Sequence, residues 1–181
     1  DYVYFGEELD GKRHGKGECK FKGKYVGDVY DGEWKDNHMC GHGVYKHAVG
    51  HMYDGEWEND KRNGHGVMKY DKGDVYDGEW KDGNQHGHGV YKYTSGGMYD
   101  GEWKDGDRHG HGIMQYADGN VYEGEWKEGK RNGHAVMKYA DGDVYVGLYG
   151  DDYKHGHGVM KYADGSVYDG EWKDGYKHGA C

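Results

Sequence analysis

The chain of 181 residues contains no proline, three cysteines, two phenylalanines and no apolar run near the ~20 residues that a membrane-spanning helix needs. Each shortage excludes something. Without proline every backbone N–H is available, as a continuous hydrogen-bonded ladder requires. The odd, irregularly spaced set Cys19, Cys40 and Cys181 makes no disulfide framework and reads as free thiols in a reducing compartment. Cationic excess is also lacking: 24 Lys and Arg face 34 Asp and Glu, a net charge of −10 spread evenly along the chain. Nucleic acid and anionic membrane both select a basic face, so neither is favoured. Only two serines exist, Ser95 and Ser166, both in turn-like stretches, which leaves no Ser-His-Asp set. No signal peptide opens the chain, and a start at Asp1 reads as a processed or excised segment. With a mean hydropathy of −1.26 and few aliphatics, no sizeable globular core is expected.

What is present is 20 Tyr, 6 Trp and 37 Gly, and they keep a register. Tyr-Asp-Gly-Glu-Trp stands at Tyr30–Trp34, Tyr53–Trp57, Tyr76–Trp80, Tyr99–Trp103 and Tyr168–Trp172, with variants at Tyr122–Trp126 and Tyr145–Tyr149. Copies start at 30, 53, 76, 99, 122, 145 and 168, a spacing of 23 residues, after a degenerate first copy at Tyr4 that lies 26 residues ahead. A fixed period of this length marks a stack of one supersecondary unit. In the copy from Tyr99, residues Tyr99, Gly101 and Trp103 alternate with Asp100 and Glu102, the period of a strand with one aromatic and one acidic face. Asp105-Gly106 is a hairpin turn, and a second strand is expected over Gly110–Tyr116. Ala117–Asn120 turns into the next copy. Helix is excluded by glycine recurring four or five times per copy, at ~1 kcal/mol each. The glycines on the aromatic face are expected to let a ring lie on bare backbone. Two strands per copy advance a sheet by ~10 Å, so eight copies would give a rod of ~75–80 Å.

Tyr-x-Gly-x-Trp, followed by the Gly-rich His-Gly-x-Gly stretch and a Gly-x-x-Tyr at this period, resembles the MORN repeat (membrane occupation and recognition nexus). The resemblance covers residues 4–181 as one array with copies from 4, 30, 53, 76, 99, 122, 145 and 168. It implies an all-β fold, an elongated single-layer antiparallel sheet of about eight stacked hairpins. The family's shared property is a non-catalytic surface, so the resemblance implies a scaffold that binds protein partners or itself. It implies a cytoplasmic, cytoskeletal or ciliary setting. The alternatives are a phospholipid-binding targeting module, which net charge disfavours, and the regulatory segment of a larger enzyme. No enzymatic activity and no cofactor are expected. The sequence departs from the pattern at Tyr149 for Trp, at Ala135 for Gly and at Cys40-Gly41. The last copy stops at Cys181, where its second strand is expected to be missing. Its regular first strand predicts a homodimer joined through residues from about Tyr145 to Cys181.

Of the 14 histidines, six form His-Gly-His-Gly pairs at His86/His88, His109/His111 and His155/His157. Equivalent histidines two strands apart, ~10 Å, cannot share an ion whose ligands converge at ~2 Å, so no metal is expected. The densest candidate set is His38, Cys40, His42, His47 and His51, whose spacing fits no zinc finger or ribbon. The acids Asp31/Glu33, Asp54/Glu56, Asp77/Glu79, Asp100/Glu102 and Asp169/Glu171 recur in each copy, opposite lysines such as Lys81 and Lys104. Repetition argues for a solvated face of cross-strand ion pairs rather than one catalytic site. The basic spots are short: Lys12/Arg13, Lys61/Arg62 and Lys130/Arg131. For partner binding, the candidates are rings in excess of the pattern, Tyr91, Tyr93, Tyr149, Tyr153 and Tyr176.

Overall fold

A computed structural model describes residues 1–179 of the chain, which divide into two compact units, residues 1–94 and the remainder from 95. Cys181 lies outside the described residues. The first unit holds β1 (Tyr2–Leu9), β2 (Lys12–Phe21), a single 3-10 turn at Gly23–Tyr25, β3 (Val29–Lys35), β4 (His38–Lys46), β5 (Met52–Glu58), β6 (Lys61–Lys69), β7 (Val75–Lys81) and β8 (Asn84–Lys92). The second holds β9 (Met98–Lys104), β10 (Asp107–Gln115), β11 (Val121–Lys127), β12 (Lys130–Lys138), β13 (Val144–Gly150), β14 (Tyr153–Lys161), β15 (Val167–Lys173) and β16 (Tyr176–His178). In each unit the strands follow one another in chain order as a single antiparallel layer, with no crossover. Each 23-residue copy is one hairpin.

The hairpin turns explain where the strands begin. Asp105 and Gly106 sit at φ 51° and 95°, two consecutive left-handed residues, the geometry that matches strand twist in a two-residue loop. The second strand therefore starts at Asp107, three residues earlier than Gly110. Gly110 is instead a bulge: its φ is +57°, and the pairing of β9 with β10 shifts between Arg108 and Gly112. A side chain there would collide with the Glu102 carboxylate. The last copy is also corrected: β16 is a short second strand that pairs Glu171–Lys173 through Tyr176–His178.

The core is one ring thick. Tyr30, Tyr53, Tyr76, Tyr99, Tyr122 and Tyr145 are wholly buried. Each folds back along its own strand, and its hydroxyl donates to the carbonyl three residues on, as from Tyr53 to Glu56 at 3.0 Å and Tyr122 to Glu125 at 2.7 Å. The ring then lies on two glycines, one on each strand of the hairpin. A Cβ at Gly55 or Gly66 would run into Tyr53. Trp rings seal one hairpin to the one before. Trp57 meets Tyr53 at 5.2 Å and Tyr30 at 5.4 Å, both edge to face, and Trp126 meets Tyr122 and Tyr99 at 5.0 and 5.3 Å. The indole N–H donates back across the seam, from Trp57 to Gly43 at 3.0 Å and from Trp126 to Gly112 at 3.2 Å. At the two departures from pattern, Tyr149 fills the Trp slot at 5.3 Å from Tyr122, and Ala135 fits in place of glycine, 7% exposed.

Candidate functional site

The residue five places after each Trp slot faces the aromatic side of the sheet. It is a cation at Arg13, Arg62, Arg108, Arg131, Lys154 and Lys177. Each of the first five lies over the aromatic ring of the following copy: Arg13 over Trp34 at 4.1 Å, Arg62 over Trp80 at 4.4 Å, Arg108 over Trp126 at 4.3 Å, Arg131 over Tyr149 at 5.1 Å and Lys154 over Trp172 at 4.6 Å. The guanidinium groups also donate to the next turn, to the Asn37, Gly83 and Gly129 carbonyls at 2.7 Å and to Asp152 at 2.8 Å. Such cation–π contacts are worth up to ~2 kcal/mol when desolvated. Burial pushes the Arg62 guanidinium below its ordinary value, whereas nearby phenols and the Asp152 carboxylate outweigh burial at Arg131 and raise it. The basic pairs noted in the sequence thus split: Lys12, Lys61 and Lys130 reach turn aspartates Asp36, Asp82 and Asp151 at 3.9, 3.1 and 3.6 Å, and their arginine neighbours stack. Sequence reading missed this row, although a cation five places past the Trp recurs visibly in the alignment of the copies.

A second line of rings runs beside the first. Tyr45 stacks on Phe21 at 5.7 Å and touches His47 at 4.5 Å, and Tyr70 lies 5.8 Å from Tyr91, which meets Tyr93 at 4.5 Å. Acids in the linking turns fix these rings. Asp28, itself 8% exposed, accepts from the Tyr45 hydroxyl at 2.7 Å and the Ala48 N–H at 2.8 Å. Asp74 accepts from Tyr91 at 3.0 Å and from Thr94, bonds that hold its carboxyl below the usual range. Between the two lines of rings, around Met39, Tyr45, Tyr53 and Trp57, lies a trough of about 480 Å³.

The partner-binding candidates divide accordingly. Tyr91 and Tyr93 come together, half-buried, in this second line. Tyr149 is spent in the core, where burial and the Tyr139 hydroxyl beside it raise its own ionisation. Tyr153 and Tyr176 open β14 and β16 and stand 58% and 78% exposed.

The histidine set does not converge. His38 meets Asp60 at 2.6 Å, His42 meets Asp54 at 3.0 Å, His47 meets Asp28 at 3.4 Å, and His51 lies 3.5 Å from Asp71 while accepting that residue's N–H at 3.0 Å. Four carboxylates in four turns or strands separate them, and Cys40 stands opposite Glu33. Among the described residues no group of three His, Cys, Asp or Glu is placed to hold a metal ion.

The acidic face differs from the lysine pairing expected of it. Glu33, Glu56, Glu79, Glu102 and Glu125 each accept a backbone N–H from the bulge, at 2.9 to 3.1 Å. Asp54, Asp77 and Asp169 meet His42, His65 and His157 at 2.9 to 3.0 Å. The bulge explains the exchange: it turns an N–H outward, and the glutamate is the nearest acceptor.

The MORN-repeat family model matches residues 4–27, 30–52, 53–75, 76–98, 99–121, 122–144, 145–167 and 168–181. No curated protein matches the chain. Among solved structures, the TCP domain of Drosophila melanogaster SAS-4, in complex with a proline-rich motif of Ana2, is 8% identical over 94% of this chain and 90% of that one, with a TM-score of 0.52. The TCP10 domain of Danio rerio CPAP in complex with a STIL peptide is 10% identical over 92% and 83%, with a TM-score of 0.37. The first is a likeness of fold; the second is too distant to carry an argument. Among the described residues no helix is long and apolar enough to cross a membrane.

Proposed function

The chain belongs to the MORN-repeat family, and from that premise we propose that it is a non-catalytic interaction array whose aromatic face takes up an extended segment of a protein partner. The observation that carries this is the pair of parallel ring lines on one face, with a trough between them. Tyrosine and tryptophan make good anchors, and aromatic-lined grooves suit a segment held extended, as proline-rich chains are. The proline-rich motif bound by the fold neighbour from Drosophila melanogaster supports the same choice of partner chemistry. The setting proposed is cytoplasmic, beside a cytoskeletal assembly. Titration of the full chain with proline-rich peptides, followed by tryptophan fluorescence, tests the reading. Binding should weaken about tenfold or more when Tyr91 and Tyr93 are both replaced by alanine, the loss expected of interface anchors. Equal binding to the wild type and the double variant, or pelleting of the chain with phospholipid vesicles in preference to peptide, would overturn it.

A second contact is favoured by β16. Among the described residues it covers only Glu171–Lys173 of β15, and Tyr176 and Tyr153 stand exposed near it. We infer that two copies meet here as a two-fold homodimer across residues from about 145, since an uncovered strand edge and paired rings are self-complementary. Light scattering should show a dimer for the chain and a monomer once Tyr153 and Tyr176 are both aspartate. A dimer that survives both changes places the interface elsewhere.

A further inference from the structure

The row of cations is broken twice, at Met39 and at Gln85, and only the first break has an acid at the turn position 21 residues on, Asp60, where Gln85 has Gly106. Met39 stands five places past Trp34 and pairs with it, as Arg62 pairs with Trp57 and Arg131 with Trp126, yet it brings no charge and no N–H to the ring of the next copy. The ring that follows Met39 is Trp57, which is 9% exposed, and the ring that follows Gln85 is Trp103, which is 7% exposed. The tryptophans beneath a cation are 3% (Trp34), 5% (Trp80), 3% (Trp126) and 5% (Trp172) exposed. The trough of about 480 Å³ lies here, walled by Phe21, Tyr45, Tyr53 and Trp57.

The acid that would serve the missing cation is still in place. In the copy from Tyr122, Asp152 takes the Arg131 backbone N–H at 2.9 Å and its Nε at 3.2 Å. Asp60 occupies the corresponding turn and takes the Met39 N–H at 2.8 Å in the same manner. Among the described residues no lysine or arginine meets it; its second oxygen rests on the exposed His38 ring at 2.6 Å, a cation only when protonated. The other charges around the trough are committed. Asp28 is held by Tyr45, Ala48 and His47, Lys61 reaches Asp82 at 3.1 Å, and Arg62 lies on Trp80.

We propose that this gap receives a guanidinium from outside: an arginine of the extended partner segment lies on the Trp57 ring and reaches the Asp60 carboxylate. The chain carries its own template for the ring contact four times, at Arg13, Arg62, Arg108 and Arg131, and for the ring and carboxylate together once, at Arg131 with Asp152. The charge is complementary, because ring faces and a carboxylate met by no lysine or arginine both favour a cation, and a planar guanidinium fits both together. This inference rests on the reading of the aromatic face as a peptide groove and adds which side chain is read, and where.

The test uses the full chain with two probe peptides, one with an arginine between two runs of three prolines and one with leucine in its place. Each residue's contribution is read from the Trp57 indole N–H signal in NMR. The arginine peptide should shift that signal and bind about tenfold more tightly than the leucine peptide, the ratio expected of a desolvated cation–π contact with a carboxylate. Asp60→Asn should remove most of the difference. Met39→Arg should abolish the shift at Trp57 and raise the melting temperature, since it fills that break in cis. It should fold, because arginine already holds the same place in four other copies. Equal binding of the two peptides at Trp57, or no shift there with the arginine peptide, overturns the inference. Shifts at the other ring signals in that case would leave the groove reading standing, and their absence would remove both. A melting temperature lowered by Met39→Arg would show that the slot does not accept a guanidinium.

Discussion

At the scale of single residues, the buried tyrosines carry the most consequence. Burial raises the phenols of Tyr30, Tyr53, Tyr76 and Tyr122 above the ordinary value of 10.0, and brings that of Tyr145 to about 12. The folded chain holds these protons when the unfolded chain has released them. The stability they contribute is fully present below pH 10 and is lost as the pH rises from there toward 12 and beyond. Unfolding in alkali should therefore be steep, with the buried phenols ionising together as the fold is lost. Ultraviolet titration of phenolate against circular dichroism checks it; smooth ionisation of every tyrosine near pH 10 with the sheet intact would contradict it. These residues were legible in the sequence because their spacing and alternation name a face. Their cations were not: stacking of Arg62 on Trp80 joins residues from different copies, and only the seam between hairpins shows which ring lies under which guanidinium. The same holds for the Asp-His contacts of the acidic side, since a bulge at a left-handed glycine decides which acceptor meets which donor.

At the scale of the element, a hairpin is two strands over one tyrosine, and an isolated two-stranded hairpin is marginal in water. Its stability comes from the seams. Trp126 is held from both sides, by Tyr122 and Tyr99 at 5.0 and 5.3 Å, and lies beneath Arg108. Trp126→Ala should cost ~3–5 kcal/mol, the usual range for a buried tryptophan removed without collapse of the site. Trp172→Ala should cost clearly less, because the tyrosine of its own copy, Tyr168, is only half-buried and the adjoining strand β16 is three residues long. Chemical denaturation of the two variants compares them, and equal losses would mean that seams are not the unit of stability. The period and the turn sequences foretold these hairpins, and with them the layer. The start of each second strand was misplaced by three residues, because a bulge glycine and a strand-opening glycine look alike in sequence and differ only in φ.

At the scale of the whole molecule, each unit sorts charge and aromaticity onto opposite faces of its sheet. Carboxylates line one, tied to bulge N–H groups and histidines; rings line the other, with the four arginines and Lys154 laid upon them. A net charge of −10 therefore says little about the face that a partner would meet, where the charges in reach are guanidiniums and their turn acids. The gap at Met39 becomes visible only against that regularity.

Strand pairing only between neighbours in the sequence has a kinetic corollary. Within each unit almost every stabilising contact closes a short loop, so contact order is low, and low contact order goes with fast folding. With no proline in the chain, no prolyl isomerisation can delay it. Folding can begin at any hairpin and spread outward one seam at a time, so a damaged copy would act as a barrier to propagation as much as a loss of stability.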